Sequence, residues 1–233
     1  MSQPDLSIVL PCYNPPTHWQ EHIIASLTDF EQQHGSFELI IVNDGCQTEA
    51  VQDISLLQQR FPALQWISYP VNRGKGYAIR QGVAAATAPL IIYTDIDFPY
   101  TPASFLKIYQ TLRAGDTDIA VGVKDDAYYS KVPWFRKRIS KTLTRLIRML
   151  IRISITDTQC GLKGLNAAAK PLLLSGTIDR YLFDLEFIYK AERKKLRLKA
   201  IPVRLREGVQ FSEVNWKILF AEGGNFLKIW RSR

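Results

Sequence analysis

Between residues 90 and 97 the chain reads Leu-Ile-Ile-Tyr-Thr-Asp-Ile-Asp, an apolar run that stops at two aspartates, Asp95 and Asp97. A short run with no polar alternation reads as a strand covered on both faces, as the central strands of parallel sheets are. The pattern recurs at Leu6 to Leu10, Phe37 to Val42, Leu64 to Ser68 and Asp118 to Gly122. Helical patterns separate these runs at about 17–33, 47–60, 74–87 and 102–114. Strands alternating with helices predict an α/β fold, a mostly parallel, doubly wound sheet flanked by helices.

The polar residues cluster at strand ends. The first strand is followed by Pro11-Cys12-Tyr13-Asn14, the second by Asn43-Asp44-Gly45, and the fourth by Asp95-Ile96-Asp97. In a parallel sheet these ends share one edge, where open α/β folds bind ligands. Residues two apart on an extended segment point the same way. Asp95 and Asp97 therefore converge, and like charges so placed call for a cation between them. A hard divalent ion on one or two carboxylates, its shell completed by a diphosphate, satisfies that need. The plainer reading is a pair of solvated turn acids before Pro99.

Composition agrees with one soluble unit. A chain of 233 residues, 46% of them apolar, can bury a full core. No stretch reaches the roughly 18 consecutive apolar residues of a membrane span, and Met1-Ser2-Gln3-Pro4-Asp5 does not open a signal peptide. The three cysteines, Cys12, Cys46 and Cys160, lack zinc spacing and read as reduced thiols of a cytoplasmic protein. The expected organisation is a single domain over 1–233. Its nucleotide-binding half covers about 1–125 and its acceptor-binding half about 126–233.

The net charge of +8 is concentrated. No acid lies between Asp126 and Asp157, while Lys131, Arg136, Lys137, Arg138, Lys141, Arg145, Arg148 and Arg152 are basic. As a helix, 134–153 gathers Arg138, Lys141, Arg145, Arg148 and Arg152 on one face. Phe135, Ile139, Leu143, Leu146, Ile147 and Leu150 gather on another. That pattern suits an anchor lying on anionic lipid, and equally a core-packing helix with a basic outer face. No nucleic-acid motif accompanies the charge, so no nucleic-acid partner is expected. Trp216, Phe220, Phe226 and Trp230 supply further candidate anchors between 214 and 230.

Six segments in order carry a family resemblance. They are Val9-Leu10-Pro11-Cys12-Tyr13-Asn14, Ile41-Val42-Asn43-Asp44-Gly45, Asn72-Arg73-Gly74-Lys75-Gly76-Tyr77-Ala78, Asp95-Ile96-Asp97, Asp157-Thr158-Gln159-Cys160-Gly161-Leu162-Lys163-Gly164 and Phe183-Asp184-Leu185-Glu186. Over about residues 6 to 207 the chain resembles family 2 glycosyltransferases of the GT-A fold. Within them it is most similar to the dolichyl-phosphate (polyprenyl-phosphate) glucosyl- and mannosyltransferase branch.

The resemblance implies an inverting, metal-dependent enzyme that uses Mg2+ or Mn2+. It would move glucose or mannose from UDP-glucose or GDP-mannose to a polyprenyl phosphate at the cytoplasmic membrane surface. The nucleotide-sugar donor would meet Pro11, Tyr13, Asn14, Asp44, Gly45, Asn72, Lys75 and Asp95. Asp97 would contact the metal directly, with Asp95 near the ribose or behind the metal. Gly74 and Gly76 would let the backbone approach, and Lys75 would face the diphosphate.

Asp157 is the catalytic candidate. It would act as a base for a hydroxyl acceptor, but only orient a phosphate, which is already ionised at neutral pH. It could also simply cap a turn. Lys131, Arg136 and Arg138 would offset the acceptor's charge. Gln159 and Asp184 would line its pocket, unless Asp184 is the N-cap of a helix running to about Lys195. Two departures stand out. Asn14 is followed by Pro15-Pro16 where many relatives carry a glutamate, and Cys46 stands where serine is common. A glycosyltransferase acting on a sugar hydroxyl, a nucleotidyltransferase, and an inactive lipid- or nucleotide-binding module remain alternatives.

Overall fold

A computed structural model describes residues 4–48, 51, 54–124, 138, 153–155, 157, 158, 160–209, 224–226 and 229. Most of the anticipated basic helix, with Lys131 and Arg136, lies outside the described residues, as do Gln159, Trp216, Phe220 and Trp230. Arg138 is described as a helical, exposed residue.

The described strands are β1 (Leu6–Cys12), β2 (Phe37–Asp44), β3 (Gln65–Tyr69), β4 (Leu90–Tyr93), β5 (Ile119–Lys124), β6 (Lys163–Asn166) and β7 (Leu198–Val203). The helices are α1 (Trp19–His34), α2 (Ser55–Arg60), α3 (Lys75–Ala85), α4 (Pro102–Arg113), α5 (Lys170–Leu174) and α6 (Phe183–Arg193). The strands form one seven-stranded sheet in the order β3-β2-β1-β4-β6-β5-β7. β1 pairs in parallel with β2 and β4, β2 with β3, and β5 with β7. β6 runs antiparallel to both neighbours, β4 and β5.

Each face of the sheet carries its own apolar layer, because the wholly buried strands send alternate residues each way. On one face Ile8, Leu10, Leu39 and Ile41 pack with Trp19, Ile23, Leu27 and Phe30 of α1 and with Phe105, Ile108 and Leu112 of α4. On the other, Val9, Ile40, Val42 and Tyr93 pack with Ala78, Ile79 and Val83 of α3 and with Phe183, Phe187 and Ile188 of α6. Ile229 is buried in this second layer and Phe226 packs against it. Part of the stretch read as a lipid anchor thus rests on the protein itself.

Two strands go beyond what was expected. Of the helix predicted over about 47–60, Val51 is helical and Ser55–Arg60 forms α2, while 49, 50, 52 and 53 lie outside the described residues. Before it the Asn43 side chain accepts from Cys46 N at 2.9 Å and donates to Cys46 O at 3.1 Å, closing a local turn. β6 was missed because Lys-Gly-Leu-Asn carries no apolar run. β7 was missed because Lys199 and Pro202 interrupt it, and proline is tolerated there because β7 is an edge strand.

Candidate active site

Strand order turns outward in both directions from the β1–β4 boundary, and there an open α/β sheet has its crevice. β1 and β4 pair from Leu6↔Leu90 to Val9↔Tyr93, while β1 stays paired with β2 as far as Cys12↔Asn43. Pro11 falls just past the last β4 partner, where its missing N–H costs no ladder bond. Beyond it, Tyr13 is half exposed at the rim and Asn14 adopts a left-handed φ of 45°.

Asp44 ends β2 almost fully buried. Its carboxylate accepts from Arg73 N at 2.7 Å, Gly74 N at 2.9 Å and Asn72 Nδ2 at 3.0 Å. Asp44 therefore builds the loop between β3 and α3. Four lone-pair sites on a carboxylate leave room for one further donor. Gly45 meets Val71 and Asn72 there, and Pro11 and Tyr13 lie at the adjoining end of β1. The glycines of this loop also make room for another part of the chain. Gly74 has φ 107°, and a Cβ on it would stand 2.5 Å from Asp179 O. One on Gly76 would stand 2.6 Å from Ile178 O. The room they create is filled by residues 178–183 of the chain, with Tyr77 N donating to Asp179 O at 3.1 Å.

Lys75 opens α3, and its ammonium lies 2.5 Å from Asp95 Oδ1. Burial pulls the Lys75 pKa down, but Asp95 and Asp184 more than restore it, and it ends above the usual lysine value. Asp95 is the mirror case. Burial raises its pKa, and Lys75, Lys163 and Lys124 bring it below the carboxylate range. Asp97 goes the other way. Burial and the neighbouring Asp95 charge push its pKa up, against Arg206 and Lys75. Of the two carboxylates, Asp97 is the one the described cations compensate less.

This donor chemistry fits a hard divalent ion: two carboxylates just past a strand end, one of them under-compensated. Among the described residues no three or more His, Cys, Asp or Glu gather to hold a metal. The remaining positions of an octahedral ion would fall to water and substrate oxygens.

Arg206, missed in the sequence, braces the Asp97 loop. It donates from Nη2 to Asp97 O at 3.2 Å and from Nε to Phe98 O at 3.1 Å, and its own N–H reaches Pro99 O at 3.0 Å. His22 of α1 belongs to the same cluster. Burial and Arg206 hold its imidazole below the usual range, against the opposite pull of Asp97 and Glu21. Neither residue carries a sequence signal, because both reach the site through long-range packing.

The residues before β6 meet those after β4. Gly161 lies so close that a Cβ there would overlap Asp95 Oδ2. Asp157 is buried; it accepts from Lys124 N at 2.9 Å, and Lys124 Nζ stands 3.6 Å away. It is thereby held at the end of β5, in the same stretch of chain as Gly161. Lys163 is wholly buried, donating to Cys160 O at 2.5 Å and pairing with Asp184 Oδ2 at 3.1 Å. Asp184 Oδ1 accepts from Tyr93 OH at 2.7 Å. Asp184 is not the N-cap of α6, which is Leu182. It sits in the first turn with both oxygens engaged, tying α6 to β4 and, through Lys163, to Cys160 just before β6. Lys163 was missed because a lysine beside a glycine reads as surface.

The fold is an open α/β sheet with a polar and charged crevice at the β1–β4 edge. The chain matches the model of glycosyl transferase family 2 over residues 7–170 and belongs to that family of glycosyltransferases. It is 28% identical over 220 residues to dolichyl-phosphate beta-glucosyltransferase of Drosophila melanogaster, covering 87% of this chain and 67% of that protein. It is 26% identical over 226 residues to the Saccharomyces cerevisiae protein of the same name, with the same coverages. Glycosyltransferase AglD of Haloferax volcanii is 25% identical over 204 residues, covering 85% of this chain and 32% of that one. The chain thus spans about two thirds of the glucosyltransferases and a third of the archaeal protein.

Glucosyl-3-phosphoglycerate synthase of Mycobacterium tuberculosis, solved with Mn2+, UDP-glucose and phosphoglyceric acid, superposes with a TM-score of 0.73 at 15% identity. The match covers 98% of this chain and 79% of that one. That likeness places the sheet among GT-A folds. Among the described residues no helix is long and apolar enough to cross a membrane.

Proposed function

We propose that the protein is an inverting hexosyltransferase. It would take glucose from UDP-glucose and pass it to a polyprenyl phosphate, working against the cytoplasmic face of a membrane. The observation that carries this reading is the junction at Gly161, which abuts the Asp95 carboxylate just past β4 and lies four residues after Asp157. The glucosyltransferase names of the relatives favour glucose over mannose. The acid-free, basic segment 127–156 supplies charge for an anionic lipid surface.

The residues divide the work. Tyr13 and the loop around Asn72 and Asp44 would receive the nucleoside, with Asp44 keeping that loop in place. Asp97 and Asp95 would hold Mg2+ or Mn2+, which when bound offsets charge on the diphosphate. Lys75, kept protonated by its neighbours, would face the leaving diphosphate as a second positive charge. Asp157, fixed by Lys124, would orient the acceptor on the opposite side of the sugar. A phosphate monoester with a second pKa of about 6 attacks without a base. Arg136, Arg138 and Lys131 would neutralise it on approach, with Gln159 at the pocket.

The test is a parallel incubation of the protein with Mn2+ or Mg2+, a short polyprenyl phosphate, and radiolabelled UDP-glucose or GDP-mannose, counting label in the organic phase. Transfer from UDP-glucose is expected, with a loss of about 10²–10³ in Asp97→Ala. Metal-dependent loss of donor without label in lipid would shift the acceptor to a hydroxyl. Silence toward every sugar nucleotide would sink the proposal.

A further inference from the structure

The loop between α5 and α6 is braced from two helices. Glu186 of α6, only 6% exposed, accepts from Thr177 N at 2.9 Å, Thr177 Oγ1 at 3.0 Å and Ile178 N at 3.0 Å. Arg80 of α3 donates to Ile178 O at 2.8 Å and to the Asp179 carboxylate. Gly74 and Gly76 remove the side chains that would keep the loop off α3. Two buried charged residues are thus committed to holding a short surface segment in one place, directly over the turn that carries Lys75.

What this segment displays is not needed for packing. Leu182 and Phe183 enter the second apolar layer, but Tyr181 does not. Tyr181 stays 50% exposed, and it follows Arg180, whose Cγ would stand 3.1 Å from a Cβ on Gly74, the residue before Lys75. A large aromatic left open in a loop docked on the start of α3, beside the turn that carries Lys75, has the properties of a ligand platform. It offers wide contact area at small entropic cost, and its position is set by supporting residues rather than by the ligand.

We propose that Tyr181 is the platform for the hexose of the donor, its ring lying against the C–H face of the pyranose. The inference rests on the donor-site reading above. In that reading the diphosphate lies at Lys75 and Asp97, and Asp157 stands at the end of β5. The sugar then falls between them, and α3 with its docked loop supplies one wall of that space. Tyr181 is an exposed aromatic of that docked loop. It contributes to sugar affinity and selectivity, and not to nucleotide affinity.

The experiment compares the affinities of UDP and UDP-glucose, with GDP and GDP-mannose in parallel, for the full chain by calorimetry in Mn2+. Tyr181→Ala is expected to weaken the sugar nucleotide about fivefold to tenfold, the value of one aromatic contact, while UDP stays within twofold. Tyr181→Phe keeps the ring and is expected to lose less than threefold. Tyr181→Leu, which keeps bulk without the π face, repeats the measurement if the alanine chain unfolds early. Equal weakening of UDP and UDP-glucose, or no change in either, overturns the inference. So does unchanged donor affinity with a raised KM for the lipid phosphate. A wild-type chain that binds no nucleotide overturns the donor-site reading itself, a result distinct from all of these.

Discussion

Gly161→Ala tests whether the 157–161 turn and the β4 carboxylates form one site. A methyl at Gly161 overlaps Asp95 Oδ2. Restoring an ordinary contact of about 3.5 Å requires the carboxylate or the turn to retreat by roughly 1 Å or more. The carboxylate is not free to swing, because Lys75 Nζ holds its other oxygen at 2.5 Å. The segment carrying Gly161 is not free either, because Lys163 holds Cys160 O and Gly161 N donates to the Tyr100 hydroxyl oxygen at 2.9 Å. Overpacking of this kind costs about 1–3 kcal/mol of stability, a few degrees of Tm for each kcal/mol at this size. A displacement of about 1 Å between reacting groups costs about 10² in rate, or roughly 2.7 kcal/mol of barrier.

Gly164→Ala is the matched control. Its methyl would stand 2.5 Å from Leu112 Cδ1 and 2.8 Å from Ile108 Cγ2, under α4 and away from Asp95. Thermal unfolding is expected to show similar losses in both variants. Initial rates of label transfer at saturating donor and acceptor are expected to fall about a hundredfold in Gly161→Ala and less than threefold in Gly164→Ala. Equal turnover in the two variants would refute the reasoning.

Two further outcomes follow from the ion pairs. Lys163→Met leaves Asp184 uncompensated in the core and is expected to cost about 3–5 kcal/mol in urea unfolding. Adding Asp184→Asn should recover most of that loss, and a coupling below about 1 kcal/mol would show that the pair does not act as one. Asp118 is held well below the carboxylate range, first by the side-chain hydrogen bonds of Arg197. Its folded pKa is depressed, so its contribution is full above the unfolded value of about 3.9 and is lost as pH falls toward the folded one. Asp118→Asn should lower Tm at pH 7, and the gap to wild type should close below about pH 4. A gap unchanged from pH 7 to pH 3 would contradict this.

The donor side was legible because its signals are local. A strand such as Leu90–Tyr93 announces itself by composition, and its end by Asp95 and Asp97. Parallel pairing of β1, β2 and β4 then puts Asp44, Tyr13 and the aspartates on one edge without further information. The acceptor side was legible as motifs but not as places. Asp184 reads as a pocket or cap residue in sequence, yet it is the shared partner of Tyr93 and Lys163, residues 91 and 21 positions away in the chain. Gly74 and Gly76 read as a phosphate-type loop, but they make room for residues that follow a hundred positions later. Long-range packing of this kind leaves no periodicity to find.

The direction of β6 explains why the Asp157 turn reaches the donor carboxylates at all. In a sheet built of parallel strands alone, each strand brings to the ligand edge the residues that follow it. The residues that precede it lie at the opposite edge. β6 is reversed, and its first residue, Lys163, pairs with the last residue of β4, Tyr93. The turn entering β6 is therefore delivered to the edge at which β4 ends. β5, on the other side of β6, is parallel to β7 and ends at the same edge with Lys124, the partner of Asp157. One antiparallel strand of four residues thus converts two segments some sixty positions apart into neighbours. Gly161 is the residue at which they touch, and only a residue without a Cβ fits there. The strand least visible in the sequence is the one that assembles the site, because what defines it is a direction, and direction is not encoded in the composition of four residues.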